Sequence, residues 1–197
     1  MPKLIVTNIM SLDGYYEGPG GDVMALPMDH RFDDHNAERL GAPGTLVLGR
    51  RTYDLFKGFW PQMADHPDAT AAQRQISVLE TAVEKVVVSD TLAAADTTPW
   101  QDTTRIVRRS GAHEEVAALK QQGDGDILVF GSRTLWHDLL TAGLVDEFQL
   151  IVGGVILGGG TPIFAGAPAR PLTLVDIRRW DDSSNALLRY TTGGDGS

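Results

Sequence analysis

Five short apolar runs punctuate the chain, at residues 4–6, 45–48, 85–89, 127–130 and 148–152. They are rich in valine, isoleucine and leucine and do not alternate with polar residues. Strands covered on both faces read this way, which is the condition inside a parallel sheet. Residues 105–107 form a sixth candidate strand. Helical patterns fall between the runs. Residues 51–56 follow the second run directly, and 70–81 carry Ile76 and Leu79 at helical spacing. Residues 113–122 place Val116 and Leu119 on one face, with Gly123 as the expected stop. Residues 133–142 align Leu135, Leu139 and Leu140, and Gly143 stands where a C-terminal cap belongs. Strand–helix alternation with short connections predicts an α/β fold with crossover helices. The last two extended runs, 172–180 and 186–192, flank an Asp/Ser/Asn turn and predict an antiparallel hairpin closing the sheet. The expected organisation is one domain over 1–192, a flexible tail at 193–197, and an insertion within it at 61–72.

Composition narrows the classes. At 197 residues the chain is long enough to bury roughly 70% of its unfolded surface. The formal net charge of −9 argues against nucleic-acid binding, which needs a basic surface. No cysteine occurs, so disulfides, thiolate catalysis and zinc–thiolate sites are excluded, and a cytoplasmic location fits. The N-terminal apolar run is too short for a signal peptide, and no run approaches the ~20 apolar residues of a membrane span. The five histidines show no metal-ligand pairing, and no metal site is expected.

Candidate chemistry gathers at strand exits. In open α/β sheets, ligands bind beyond the carboxyl ends of the strands, where helix N-termini favour anions. Gly49, Arg50, Arg51 and Thr52 follow the second run. They suit a phosphate, since guanidinium pairs bidentately with it, or they form an ordinary solvated helix start. Ser89, Asp90 and Thr91 follow the third run, as phosphate ligands or as turn residues. Gly131, Ser132, Arg133, Thr134 and Leu135 open a helix after the fourth and make a pyrophosphate seat, or Ser132 is simply a cap. Neither the G-x-G-x-x-G fingerprint nor a P-loop is present. Residues 153–161 are glycine-rich, which fits close backbone packing beside a ligand or a subunit interface.

Acid–base candidates are few. Asp13 sits in Ser11-Leu12-Asp13-Gly14, where an Asp-Gly turn is unremarkable. Asp29 and Asp33 are four apart and would share one helical face, whose bland reading is a solvated acidic surface.

Ser11-Leu12-Asp13-Gly14, Gly49-Arg50-Arg51-Thr52-Tyr53, Val86-Val87-Val88-Ser89-Asp90-Thr91-Leu92 and the stretch from Asp126 to Phe164 occur in this order over nearly the whole chain. Together they resemble the bacterial dihydrofolate reductase-like proteins, a group that includes the reductase domain of riboflavin biosynthesis. The family's double glycine at the later turn stands here as Gly131-Ser132. The resemblance implies a mixed, mostly parallel sheet, NADPH as hydride donor, a small heterocyclic substrate such as a pterin or pyrimidine, and commonly a homodimer. It assigns residues 49–52 and 89–91 to the adenosine phosphate end, 131–135 to the pyrophosphate, and Leu12 and Gly14 to the nicotinamide. The family's acidic Leu-Pro-x-Asp string is matched by Leu26-Pro27-Met28-Asp29, and the catalytic proton is expected from water or from an acid near Asp13 or Asp29. Tyr15, Tyr16, Phe56 and Trp60 either wall a flat substrate or, for the last two, pack the core.

Overall fold

The computed structural model describes residues 1–42, 44–122 and 125–193. The helix stop expected at Gly123 and the tail beyond Gly193 lie outside the described residues. The strands are β1 (Leu4–Ser11), β2 (Tyr15–Glu17), β3 (Gly44–Gly49), β4 (Glu84–Val88), β5 (Thr104–Val107), β6 (Asp126–Phe130), β7 (Glu147–Gly153), β8 (Thr161–Pro162), β9 (Thr173–Arg179) and β10 (Ala186–Thr191). The helices are α1 (His30–Leu40), α2 (Arg50–Met63), α3 (Ala71–Ala82), α4 (Ala112–Gln122) and α5 (Arg133–Thr141).

Eight strands form one sheet in the order β5-β4-β3-β6-β1-β7-β10-β9. The pairs from β5 through β7 are parallel, and β10 is antiparallel to both β7 and β9. The mostly parallel sheet and the closing hairpin are as the sequence predicts. The doubly buried pattern is explicit in β3, where Leu46, Val47 and Leu48 are all fully buried. Val47 points into the core under α4 and α5, with Val116, Trp136 and Leu139. Leu46 and Leu48 point the other way, among Ala37, Tyr53, Trp60 and Ile76 of α1, α2 and α3. Both faces being dry, neither can alternate with polar residues.

Helix ends follow local chemistry. Thr70 caps α3 through a reciprocal box with Gln73, at 3.1 Å in each direction. After α5, the N–H of Leu144 donates to Leu139 O and that of Gly143 to Leu140 O, the paired pattern of a Schellman stop.

Three departures from the sequence reading bear on the site. The stretch 61–72 is no insertion, because Pro61 lies in the last turns of α2 and Ala71 opens α3. A proline so late in a helix forfeits one backbone bond. The side chains of Ser77 and Arg74 meanwhile donate to Trp60 O at 2.7 Å and Ala64 O at 3.2 Å, fastening α3 to α2. Asp29 is not on the helical face of Asp33, since α1 starts at His30 and Asp29 caps it, accepting from the N–H groups of Arg31 and Phe32. Asp33 is buried rather than solvated. Among the described residues no helix is long and apolar enough to cross a membrane.

Candidate functional site

The carboxyl ends of β3, β4, β5 and β6 open onto one groove of about 1380 Å³. Its lining includes Gly49, Arg50, Arg51 and Thr52, then Ser89, Asp90 and Thr91, then Ser132, Arg133, Thr134 and Leu135. Three turns far apart in sequence therefore meet in space.

Two of these turns are stitched together. Ser132 Oγ accepts the Gly49 N–H at 3.0 Å, and Thr52 Oγ1 accepts the Ser132 N–H at 3.1 Å. Ser132 is the single non-glycine residue with positive φ among the described residues, at φ 48°. L-residues seldom adopt that conformation, and it persists where surrounding contacts enforce it. A Cβ on the adjoining Gly131 would stand 3.3 Å from Thr52 Oγ1, so the turn is tight on both sides. No side chain caps the N-terminus of α2 or of α5. The N–H groups of Arg50, Arg51 and Thr134 are thus left for a ligand in the groove, while that of Arg133 is turned to the Tyr16 hydroxyl.

Three of the groove's four arginines are paired with carboxylates of its own lining, as is the His113 imidazole. Arg50 meets Asp54 at 2.5 Å, Arg51 meets Glu17 at 2.9 Å, Arg109 meets Asp90 at 3.8 Å, and His113 meets Asp138 at 2.7 Å. Arg133 donates to the carbonyls of Pro162, Ile163 and Ala165, tethering β8 and the segment after it. Ser89 Oγ accepts from the N–H groups of Thr91 and Leu92, so it shapes its turn as well as facing the groove.

Sequence reasoning missed part of the wall. Arg109 and Ser110 contribute from the β5–α4 connection, Ala112 and His113 from the first turn of α4, and Glu17 and Thr161 from β2 and β8, beside Tyr16, which the sequence offered as a substrate wall. The exit of β5 was the available signal, since it follows the same strand-end rule as its neighbours. Phe56 and Trp60 belong to the core, in edge-on contact with ring centroids 6.4 Å apart.

Leu12, Asp13, Gly14 and Asp29 lie outside this groove's lining. Asp13 accepts from Leu157 N–H at 3.1 Å and Gly158 N–H at 2.8 Å. The Ser11 hydroxyl and then these two amides hold its carboxyl down at about 2. Leu12 donates its N–H to Val155 O, and Gly14 O accepts from Ile163 N–H. This loop is therefore bound to the glycine-rich segment, whose close contacts are within the chain. A Cβ on Gly153 would come within 2.5 Å of Pro27, one on Gly154 within 2.7 Å of Ser184, and one on Gly160 within 2.1 Å of Glu17 O. Burial pushes Asp29 upward, but the Ser183 hydroxyl at 2.5 Å and two helix N–H groups outweigh it and leave it below its usual value.

The model of the RibD C-terminal domain matches residues 2–185. The chain belongs to the RibD C-terminal domain family. The uncharacterized protein YyaP of Bacillus subtilis (strain 168) is 29% identical over 192 residues, covering 97% of this chain and 96% of its own. Solved RibD and reductase structures share the fold. One is a Thermotoga maritima diaminohydroxyphosphoribosylaminopyrimidine deaminase/5-amino-6-(5-phosphoribosylamino)uracil reductase, at TM-score 0.66 and 14% identity. The alignment covers 98% of this chain and 57% of that one. Another is dihydrofolate reductase from Enterococcus faecalis complexed with NADP(H) and RAB-propyl, at TM-score 0.57 and 16% identity, covering 98% of this chain and 97% of that one. The sheet order and hairpin are thus those of a dihydrofolate reductase-like fold.

Within this RibD C-terminal domain, burial raises the pKa of two carboxyls, Asp33 and Glu80. Burial pushes Asp33 up to about 6, against a 3.0 Å hydrogen bond from Gln73 Nε2 and with the charges of Asp34 and Asp29 adding to the rise. It faces α3 from the first turn of α1.

Proposed function

We propose that this chain is an NADPH-dependent reductase of a small heterocycle. A pyrimidine of riboflavin biosynthesis is favoured by the family to which the chain belongs. The observation carrying this reading is the convergence of the 49–52, 89–91 and 131–135 turns on one groove, with two uncapped helix N-termini and a Gly49–Ser132–Thr52 stitch between them. Those features fit a dinucleotide's phosphates, which are bound by backbone N–H groups at helix starts. Ser132, Arg133 and Thr134 would hold the pyrophosphate, and Arg50 with Ser89 and Thr91 the adenosine phosphate. Leu12 and Gly14 would flank the nicotinamide, whose chemistry when bound is hydride donation.

The protein's share of the work is positioning. Asp13 is ionised and committed to two amides, and Asp29 to a helix start, so in this reading each orients backbone around the reacting ring while the proton arrives through water. A folate-type reduction would use the same groove. The RibD-like reading is preferred because the family model spans residues 2–185. We also assign a second copy of the chain to the free edge strand β9, where Val175 and Ile177 are 50% and 58% exposed. Sedimentation of wild type and Ile177→Asp checks this: a dimer that becomes a monomer supports it, and a wild-type monomer refutes it.

Titration with NADPH and NADH, following nicotinamide fluorescence, tests the main reading. Micromolar NADPH binding is expected. No binding below about 1 mM, weaker than roughly 4 kcal/mol, would end it.

A further inference from the structure

Arg50 and Arg51 are neighbours at the same helix start, yet their partners differ in kind. Asp54, the partner of Arg50, is 42% exposed, and water can replace the arginine there. Glu17, the partner of Arg51, has a side chain only 8% exposed. Its second oxygen, Oε1, accepts from the Thr161 hydroxyl at 2.7 Å. Its backbone carbonyl is pressed against Gly160, where no Cβ fits. Arg51 also donates to Gly21 O at 3.2 Å. One buried carboxylate thus gathers β2, β8 and the start of α2, and one arginine reaches from it to the turn beyond β2.

Withdrawing Arg51 toward a ligand would strand a buried anion on a single hydroxyl, which is strongly unfavourable. Releasing Arg50 from an exposed pair is nearly free. We propose that Arg51 is a strap: held by Glu17, it pins the segment from Tyr15 to Gly21 along the groove wall and does not read the cofactor's phosphate. It acts on the ligand through the segment it fixes, including Tyr16, which lines the groove. Arg51 is therefore a positioning residue. The selectivity part of this inference rests on the dinucleotide reading, and the strap itself does not.

Two measurements on the full chain test it. Hydrogen exchange without nucleotide compares wild type, Arg51→Ala, Glu17→Gln, the double variant and Arg51→Lys. The Gly18 and Gly21 amides, bonded to Asp22 O and Gly18 O, are the reporters. Each of the Ala and Gln variants should speed their exchange about tenfold, with β1 and β7 unchanged and the double variant no faster than the faster single one. Arg51→Lys should restore part of the protection. Unchanged exchange in Arg51→Ala, or additive effects in the double variant, overturns the strap. NADPH and NADH titrations of Arg51→Ala should then weaken by the same factor. A loss at least about tenfold larger for NADPH would make Arg51 a phosphate reader and overturn the proposal. If wild type binds neither nucleotide, the reductase reading fails and the exchange result alone judges the strap.

Discussion

Ser132 Oγ lies 3.0 Å from the amide nitrogen of Gly49, and this contact across 83 residues sets the spacing of the two turns that face the groove. Ser132→Ala leaves a part-buried N–H without its acceptor, at a cost of about 1–3 kcal/mol. Ser132→Gly loses the same bond but relieves the left-handed conformation that serine holds at φ 48°. Alanine should therefore lower the urea midpoint more than glycine, and both should weaken NADPH binding. Equal midpoints for the two variants would show that the backbone conformation carries no strain.

Arg50 has an exposed partner and a place beside an uncapped helix start. Arg50→Ala should weaken NADPH about tenfold or more while changing NADH by less than about threefold, the scale of one charge-assisted bond to phosphate. Thermal stability should be unaltered. Parallel weakening of both nucleotides would place the 2′-phosphate elsewhere, Arg109 being the next cation to test.

Asp33 makes stability depend on pH in an uncommon direction. Its folded pKa, about 6, lies above the ordinary 3.8, so its contribution is fully present below about pH 4 and is lost as pH rises through 6. Asp33→Asn removes the ionisation and keeps an oxygen for Gln73. Denaturant titrations should find the variant more stable than wild type by about 1–3 kcal/mol at pH 7.5, with the gap closing toward pH 4. A gap independent of pH would assign the effect to packing.

Gly160 has φ 123°, and any Cβ there would sit 2.1 Å from Glu17 O. Gly158 has φ 66° with nothing within 4 Å of a Cβ. Gly160→Ala should cost about 3 kcal/mol or more and disorder the β2–β8 pairing, whereas Gly158→Ala should cost about 1 kcal/mol. Similar unfolding midpoints would mean that the backbone contact at Gly160 yields easily.

The sheet was legible because double burial writes itself as unbroken apolar runs, and the end of α5 because Gly143 follows a regular stripe. The groove turns were legible because glycine and hydroxyl residues cluster where a strand passes into a helix. Partnerships were not. Nothing at Arg51 announces Glu17, 34 positions earlier, since the ion pair depends on where the β2–β8 pair lies relative to the start of α2. The left-handed Ser132 was hidden because serine rarely takes that conformation. Asp29 did carry a signal, an Asp before a helical run, but its role as a cap competed with its family string. The helix read over 51–56 runs on to Met63, where Trp60 packs into the core beside Phe56.

The balance of four arginines against four carboxylates in the groove's lining has a kinetic consequence. Such a groove projects little field into solvent, and the chain as a whole bears −9. An anionic dinucleotide is then not drawn in from a distance. Its association rate should rise or stay level with added salt rather than fall, and its discrimination between dinucleotides would reside in how slowly the right one leaves.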